Sequence, residues 1–369
     1  MENIRAIVID DTIVYRKIVG DVLKEIPGVE VVGVANNGKI ALSKIASLKP
    51  DLITLDIEMP EVNGIEVLQA LKNQSQAPVV IMLSTLTQQG SEMTIKALEL
   101  GAFDFVPKPD QGTMAENMQK VKAAILPIID ALKRQKATKL KIREKIKSKP
   151  LTTKDVVNKV AVNKVSGTAT QKPPVKSKSE IIGIGISTGG PNALTQMIPM
   201  LPADLKAPVL IVQHMPPMFT QSLANSLNNK SKLDIKEAEN GDTIEPGKIL
   251  IAPGGKQMKI IAGADGITRK IKITDDPPEN SCKPSVDYLF RSIAQHYVGR
   301  STGVIMTGMG SDGSKGLVQM KNNGSIVIAQ NEETCTVYGM PKEPVESGIA
   351  DIVVPLEKIA QEIVKTIIS

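Results

Sequence analysis

The sequence predicts an α/β protein made of two doubly wound domains. Its 369 residues are more than one ordinary hydrophobic core holds, since domains usually contain about 100 to 200 residues. On both sides of a polar, Lys-rich stretch, short β-branched runs alternate with longer amphipathic segments. This alternation is typical of parallel sheets covered by helices. We therefore predict a first domain at residues 1–130, a basic flexible linker at 131–178 and a second domain at 179–369.

The N-terminal domain is predicted to contain five strand-helix units. Strands are expected at the apolar runs IRAIVID, VEVVGVA, DLITLD, PVVIMLS and FDFVPK. Amphipathic helical patterns follow them at residues 14–26, 38–48, 64–73, 91–100 and 113–132. Five such units in succession form a (βα)5 doubly wound parallel sheet.

The C-terminal domain repeats this alternation and is predicted to be a doubly wound, mainly parallel α/β domain. Its strands are IIGIGIS, APVLIVQH, KILIAP, TGVIMTG, GSIVIAQ and IADIVVP, and its helices lie near 191–200, 217–228, 285–298, 314–322 and 355–368. The stretch 233–275 holds short β-like pieces separated by Gly, Pro and Asp. We expect an antiparallel excursion from the main sheet there.

The segment between the domains carries the excess positive charge of the chain. Between Lys133 and Lys178, fifteen Lys or Arg stand against two acids, whereas the whole chain has a net charge of +6. Few large apolar residues occur there, so the segment cannot bury enough surface to order itself and should be a tether, helical at most at its start. A Lys-rich tether provides only weak, salt-sensitive binding to nucleic acid, and we expect no specific nucleic-acid partner.

The composition excludes other classes of protein. Aromatic residues make up 2% of the chain and Trp is absent, which argues against stacking platforms for single-stranded nucleic acid. The two cysteines, Cys282 and Cys335, form neither a disulfide framework nor a metal-ligand pattern, so both are expected to be reduced. The N-terminus MENIRAIVIDD does not resemble a signal peptide, and no apolar run approaches the roughly 18 to 20 residues of a membrane span. We expect a cytoplasmic protein.

Acidic side chains follow two strands of the N-terminal domain. Asp10 and Asp11 come after the first strand and Asp56 ends the third, so all three should meet at the carboxyl edge of the sheet. Three carboxylates repel one another unless a cation is present, and hard oxygen ligands suit Mg²⁺. Ser84 and Lys108 end the fourth and fifth strands at the same edge. A hydroxyl and an ammonium facing a carboxylate at a metal are suited to accept a phosphoryl group.

Together with Pro109, these residues make the segment from 1 to about 125 resemble a two-component receiver domain. The resemblance implies that Asp56 is phosphorylated and that Ser84 and Lys108 contact the phosphoryl group. It also implies a Mg²⁺ site with ligands from Asp10, Asp11, Asp56 and the main-chain carbonyl of Glu58. Phe105 matches the aromatic position whose orientation reports the switch in such domains.

Three residue types of the C-terminal domain suit acyl transfer. Ser187 and His214 end two predicted strands, and Asp312 follows a third, so they should line one crevice of a parallel sheet. A serine hydroxyl needs a base within reach and a third group to orient that base, which is the logic of a serine-hydrolase triad. A simpler interpretation is open for each motif: Ser187 and Thr188 would also suit a helix N-cap, and Asp312 a tight turn.

The sequence contains only two histidines, which narrows the choice of base. His296 falls off the apolar stripe of a helical pattern and is most simply a surface residue. His214 stands at a strand end before Met-Pro-Pro, so it is the better candidate. Because a base must be neutral, we expect the hydrolytic rate to rise with pH near the ordinary histidine pKa of about 6.5.

The motifs GISTGGP, QHMPPMFT, KPSVDYLF, TGMGSDG and YGMP follow in this order behind the receiver-like segment. They resemble the chemotaxis protein-glutamate methylesterase family over nearly the whole chain except the linker. The resemblance implies hydrolysis of glutamate γ-methyl esters on methyl-accepting chemotaxis receptors with release of methanol, and often deamidation of receptor glutamines. It also implies a chemotaxis histidine kinase as partner, a location peripheral to receptor arrays without membrane insertion, and no cofactor for the ester step.

The resemblance assigns roles to individual residues. Ser187 is the expected nucleophile, His214 the general base and Asp312 the group that orients it. The main-chain amide of Met309, together with that of Thr188, is expected to stabilise the oxyanion. The chain departs from the family pattern at Cys282, where the family usually has a histidine, and its linker is long for the family.

Two other classes of function remain open at this point. A receiver domain could control a hydrolase-like domain that docks on receptors without turnover, which would make the chain a phosphorylation-gated binding module. A DNA-binding regulator that uses the basic linker is the third interpretation, but the sequence holds no helix-turn-helix pattern. A test of the serine nucleophile separates the esterase from the binding module.

Overall fold

The computed structural model describes residues 3–72, 74, 76–147 and 178–368. In the first part, five parallel strands form one sheet in the order β2-β1-β3-β4-β5. The strands are β1 (Ile4–Ile9), β2 (Val29–Ala35), β3 (Leu52–Asp56), β4 (Val79–Ser84) and β5 (Asp104–Pro107). The helices are α1 (Ile13–Lys24), α2 (Gly38–Leu48), α3 (Gly64–Leu71), α4 (Gln88–Glu99) and α5 (Met114–Lys147). The predicted (βα)5 fold is confirmed.

Helix α5 extends beyond the predicted end of the first domain. It continues to Lys147, so the boundary proposed at residue 130 falls inside a helix and the first part of the predicted linker is helical. Its buried residues Val121, Ile125 and Ile129 pack on the core of the first sheet, which explains why the helix begins where the amphipathic pattern does. The flexibility predicted for the rest of the linker, 148–177, concerns residues outside the described part of the chain.

The second domain is built on a sheet of seven parallel strands in the order β14-β13-β12-β6-β7-β9-β8. Its strands are β6 (Ile181–Ile186), β7 (Val209–Gln213), β8 (Asp234–Glu237), β9 (Lys248–Ile251), β12 (Ser301–Ile305), β13 (Ile326–Gln330) and β14 (Ile352–Val354). Its helices are α6 (Gly190–Met197), α7 (Phe219–Asn228), α8 (Val286–His296), α9 (Ser314–Asn322), α10 (Lys342–Glu346) and α11 (Leu356–Ile368). The predicted parallel α/β class is confirmed.

The stretch 233–275 differs in part from the expected antiparallel excursion. Strands β8 and β9 pair in parallel and extend the main sheet. Only β10 (Gln257–Ala262) and β11 (Arg269–Thr274) form a separate antiparallel hairpin. Ile260 and Ile271 of this hairpin are buried against helix α8, and β11 also forms main-chain hydrogen bonds with residues 241–244. Packing on the helix and pairing with this segment together hold the hairpin in place.

Two glycines in β6 set how closely helix α8 lies on the central strand. A Cβ on Gly185 would lie 2.3 Å from Val286, and one on Gly183 would lie 2.5 Å from Ile293. These distances are too short for any larger residue, because core packing leaves no such room. The close contact matters for the site, since the N-terminus of α8 lies beside the end of β6.

Among the helices of the described residues, none is both long enough and apolar enough to cross a membrane.

Candidate active site and phosphoacceptor site

The ends of strands β6 and β7 bring Ser187 and His214 side by side. Ile186 is in register with Gln213, so the next residue on each strand forms the following pair. The His214 N–H donates to the carbonyl of Ile186 at 3.2 Å. The Ser187 N–H donates to the carbonyl of Thr307 at 3.0 Å, which ties the serine to the end of β12. The structure thus places these strand ends together, as the sequence predicts.

Gln213 holds the same two turns together and was not anticipated from the sequence. Its side chain is buried, and its Nε2 donates to the carbonyls of Ser187 at 3.0 Å and His214 at 3.2 Å. A Cβ on Gly190 would lie 2.0 Å from Gln213 Oε1, so glycine is required where helix α6 begins. The turn that carries Ser187 is therefore held in place by a buried amide.

His214 is paired with Asp312. The two side chains meet at 2.8 Å between Nε2 and Oδ2, with 15% and 3% of their surfaces exposed. Since Nε2 faces the carboxylate, Nδ1 is the ring nitrogen left to accept a proton from serine. Within the described residues, no hydrogen bond joins Ser187 Oγ to His214. Such bonds are often long in free enzymes and shorten when substrate binds.

The N-terminus of helix α8 holds the carboxylate of Asp312 in place. Its Oδ2 also accepts the Val286 N–H at 2.7 Å, and its Oδ1 accepts from Asn280 Nδ2, Ser285 Oγ and the Asp287 N–H. Burial alone would raise the pKa of Asp312, but the hydrogen bonds from His214, Val286 and Asn280 outweigh burial and lower it to about 2. Asp312 therefore stays ionised and fixed toward His214.

Sequence reasoning did not identify Ser285 and Asn280 as partners of Asp312. Ser285 lies in the motif KPSVDYLF. This motif contributed to the family resemblance, but no role was predicted for its serine. Ser285 is also the N-cap of α8 and accepts from the Tyr288 N–H. One serine therefore caps the helix and supports the carboxylate.

The protonation state of His214 differs from the one expected from the sequence. Burial alone would lower the pKa of His214, but the hydrogen bond with Asp312 and the contact with Cys282 outweigh burial and raise it to about 9. The raised pKa favours the protonated ring at neutral pH. The rate is expected to rise with pH toward 9 and not to level off just above 6.5.

The main-chain amides of Thr188 and Met309 are free to bind an oxyanion. Neither N–H donates to another residue of the described chain. The Thr307 hydroxyl donates to the Thr188 carbonyl at 3.0 Å and so fixes the orientation of that turn. A Cβ on Gly308 would lie 2.7 Å from the Cβ of Ser187, so the loop carrying Met309 approaches the serine closely only because residue 308 is glycine. Their use as oxyanion donors stays a prediction.

The acidic residues of the first domain also converge. Carboxylate oxygens of Asp10, Asp11 and Asp56 lie within 4.8 Å of one another. Lys108 Nζ lies 2.8 Å from both Asp10 Oδ2 and Asp56 Oδ2. Burial raises the pKa of Asp56 to about 6, against the opposing charge of Lys108. Three carboxylates with one ammonium leave negative charge uncompensated, and their oxygens are the donor set that Mg²⁺ prefers.

Two other residues, Glu58 and Ser84, were predicted to belong to this site. Glu58 is exposed two positions after Asp56, and the role of its carbonyl stays a prediction. Ser84 is buried, but its hydroxyl accepts from Thr94 Oγ1 at 2.6 Å and donates to the Gly90 carbonyl at 3.2 Å. In this state Ser84 is therefore bonded to helix α4 and not to the carboxylates.

Helix α4 and strand β5 dock on the second domain. The Phe105 ring stacks on Phe219 of helix α7, with 4.5 Å between the ring centroids. Ser91 of α4 and Ser222 of α7 are joined by a buried 2.7 Å hydrogen bond between their hydroxyls. Apolar residues of both domains belong to one continuous buried cluster. The aromatic residue predicted to report the switch therefore lies in the domain interface.

The same interface reaches the turn that carries Ser187. Asp104, the first residue of β5, forms a side-chain hydrogen bond with Thr188. Burial raises the pKa of Asp104 to about 6, although this bond opposes the rise. At the other end of α4, Glu99 accepts from Ser226 and forms an ion pair with Lys230. The first domain thus contacts the residue that directly follows Ser187.

Comparisons with known proteins agree with this organisation. Residues 6–119 match the model of the response regulator receiver domain, and residues 182–363 match that of the CheB methylesterase. The chain is 54% identical over 367 residues to the protein-glutamate methylesterase/protein-glutamine glutaminase of Desulfotalea psychrophila, with 100% of this chain and 99% of that protein covered. The protein of the same name from Pyrococcus horikoshii is 40% identical, with 99% and 94% covered.

Among solved structures, the crystal structure of the Thermotoga maritima CheB methylesterase catalytic domain is 41% identical, with a TM-score of 0.49. It covers 51% of this chain, and 99% of that chain is matched. Full-length identity to the curated relatives decides the assignment. The chain belongs to the protein-glutamate methylesterase/protein-glutamine glutaminase family and combines a response regulator receiver domain with a CheB methylesterase domain.

Proposed function

We propose that this chain hydrolyses glutamate γ-methyl esters on chemoreceptors, releases methanol, and is controlled by phosphorylation of Asp56. The observation that carries the proposal is the His214–Asp312 pair beside Ser187 at the strand ends. Docking of the receiver on Thr188 supports the control by phosphorylation. The relatives are named glutaminases as well, and a glutamine side chain presents a similar acyl carbon. Deamidation of receptor glutamines is part of the proposal.

The chemistry follows from the positions of the three side chains. Ser187 Oγ attacks the ester carbonyl while Nδ1 of His214 takes its proton, and the Thr188 and Met309 amides stabilise the oxyanion. His214 then returns the proton to the leaving methoxide, so methanol departs and the acyl group remains on Ser187. Water, activated by His214, attacks the acyl-enzyme and releases the glutamate carboxylate. With a glutamine substrate, ammonia leaves in the first step.

Asp312 has a supporting role in this scheme. Its carboxylate receives the Nε2–H of His214, which leaves Nδ1 directed toward serine, and stabilises the imidazolium that forms. Five donors surround it and hold it in the orientation that faces His214.

The receiver is proposed to accept the phosphoryl group on Asp56 from a chemotaxis histidine kinase. Asp10, Asp11, Asp56 and the Glu58 carbonyl would hold Mg²⁺, which supplies charge neutralisation when bound. Lys108 already lies beside the acceptor carboxylate and would pair with the phosphoryl oxygens. Ser84 would have to leave its bonds to α4 in order to reach them. The proposed location is the cytoplasm, next to membrane-bound receptors.

The docked receiver is positioned to restrict the esterase. A cavity of about 220 Å³ between the domains is lined by Gly189 and Asn192 at the start of α6 and by residues 101–103 of the receiver. Together with the Asp104–Thr188 bond, this places the receiver against the nucleophile turn. A receptor segment that must reach Ser187 would compete with the receiver for this space.

Methanol release from methylated receptor, with and without a small phosphodonor, tests this function. We expect phosphorylation to raise the rate about ten- to hundredfold, the range of a few kcal/mol of coupling. Asp56→Asn should keep the resting rate and lose the response, whereas Asp130→Asn, an exposed control on α5, should respond normally. Receptor binding without any methanol release would favour the binding module. A response that survives Asp56→Asn would remove Asp56 as the acceptor.

Asp104→Asn is expected to lower the resting rate severalfold. In the docked state the pKa of the Asp104 carboxyl is about 6, above its ordinary value of 3.8. Docking is therefore coupled to the uptake of a proton by this carboxyl. Docking therefore weakens as pH rises from about 4 to 6 and stays weakened at pH 7. The substitution removes the charge and keeps an amide that can bond Thr188, so the receiver should dock more tightly.

The measurement is the resting rate of methanol release at pH 7, with Asp110→Asn as a control at an exposed receiver carboxylate. A resting rate equal to or above that of the unsubstituted chain would show that Asp104 does not govern docking.

A further inference from the structure

The Nδ1 side of the His214 ring faces a cysteine. Cys282 Sγ lies 3.7 Å from Nδ1, a distance within reach of a hydrogen bond to sulfur. The other ring nitrogen, Nε2, is occupied by Asp312. Nδ1 is therefore the atom that must take the Ser187 proton and also the atom that Cys282 contacts.

The main chain around Cys282 is fixed, so this contact does not depend on a free loop. The N–H of Cys282 donates to the Glu279 carbonyl at 2.8 Å, and the Cys282 carbonyl accepts the Glu279 N–H at 3.0 Å. Glu279 is in turn held by an ion pair with Arg291 of helix α8. The same short segment contributes Asn280, which donates to Asp312 at 2.9 Å. One segment thus contacts both His214 and its carboxylate partner.

We propose that Cys282 is a positioning residue of the esterase, whose sulfur holds the Nδ1 side of His214 in the resting enzyme and competes with Ser187 for that nitrogen. This inference rests on the proposed function, because it assigns the base of that reaction. It explains why the described structure has no Ser187–His214 hydrogen bond although the two residues end neighbouring strands.

The charge around the ring supports the proposal. Two groups from separate loops contact the imidazole, Asp312 at Nε2 and Cys282 at Nδ1. Burial would lower the pKa of His214, but Asp312 and Cys282 together raise it to about 9. A protonated ring donates from both nitrogens, to the carboxylate on one side and to the sulfur on the other. These contacts favour the protonated form of His214, which cannot accept the serine proton, and loss of the sulfur should make neutral His214 more abundant at pH 7.

Titration of the histidine rings by NMR tests this in the full-length chain. The sequence has two histidines, so the spectrum of ¹³C-labelled imidazole contains two signals, and His296→Gln assigns them. In Cys282→Ala we expect the midpoint of His214 to fall by roughly one pH unit or more, with His296 unchanged. Cys335→Ala, the substitution of the other cysteine, should leave both midpoints in place.

The pH dependence of kcat/KM should shift together with the His214 midpoint. Each pH unit by which the midpoint falls increases the neutral fraction at pH 7 about tenfold, so kcat/KM at pH 7 should rise in Cys282→Ala and its pH profile should move by the same amount. A residue that only maintained the fold would lower kcat/KM without moving the profile. Cys282→Ser, which preserves side-chain volume, serves as a second variant and should give a smaller shift in the same direction.

An unchanged His214 midpoint in both variants would overturn the proposal. The titration does not require turnover, so it separates this inference from the proposed function. If the unsubstituted chain releases no methanol, the proposed function is refuted, but the His214 midpoint still tests the proposed role of Cys282. If methanol is released but the midpoint does not move, only the role of Cys282 is refuted.

Discussion

Replacing Ser187 by alanine is expected to abolish ester hydrolysis while the protein remains folded. The substitution removes a single oxygen that makes no hydrogen bond with another described residue, so no buried partner is left unsatisfied. Without the nucleophile the acyl-enzyme cannot form, and loss of a triad member typically lowers the rate by a factor on the order of 10³ or more. The measurement is methanol release by the phosphorylated full-length chain, with thermal unfolding as the check on folding.

Ser347→Ala is the matched control, since Ser347 is exposed at the end of α10. It should behave like the unsubstituted chain. If Ser187→Ala kept more than about a tenth of the rate, a loss far smaller than that of a triad member, the nucleophile would have to lie elsewhere.

Asp312→Asn is expected to have the second-largest effect, a loss on the order of 10³-fold to 10⁴-fold in kcat. Both carboxylate oxygens accept hydrogen bonds, Oδ1 from three donors and Oδ2 from two. An amide has one accepting oxygen, so its NH2 group must face donors on one side. If that side is His214, the ring loses the partner that stabilises its protonated form and directs Nδ1 to Ser187.

The measurement is kcat with saturating substrate, together with the NMR midpoint of His214, which should fall because a stabilising negative charge is gone. Asp204→Asn is the control, because the Asp204 side chain is 79% exposed. A variant that retained near-normal kcat with a lowered midpoint would show that Asp312 tunes the charge of His214 but is not needed for catalysis.

The positions of the candidate residues follow from sequence because they depend on a simple rule. In a parallel sheet all carboxyl ends lie at one edge, so identifying β6, β7 and β12 as strands was enough to bring Ser187, His214 and the Asp312 loop together. The same rule located Asp10, Asp56 and Lys108. The catalytic and phosphoryl roles of these residues stay predictions that the experiments above address.

Contacts made by loops and helix ends, which the strand-end rule does not cover, were not predictable in this way. The bond between Ser285 and Asp312 spans 27 residues, and the contact of Cys282 with His214 spans 68. Periodicity reports only which face of an element is apolar and does not show which helix end meets which loop. The parallel pairing of β8 with β9 was missed for the same reason, since short β-like runs do not reveal their partners.

The stacked rings of Phe105 and Phe219 have a consequence for the direction in which signals travel. If phosphorylation at Asp56 favours a Phe105 orientation that breaks this stack, thermodynamic reciprocity requires that separation of the domains favours phosphorylation by the same factor. A receptor segment that displaces the receiver would then shift the equilibrium between the free and the phosphorylated chain toward the phosphorylated form. The substrate would thus favour phosphorylation of the receiver that controls access to Ser187. The enzyme would then be most responsive where methylated receptor is most abundant.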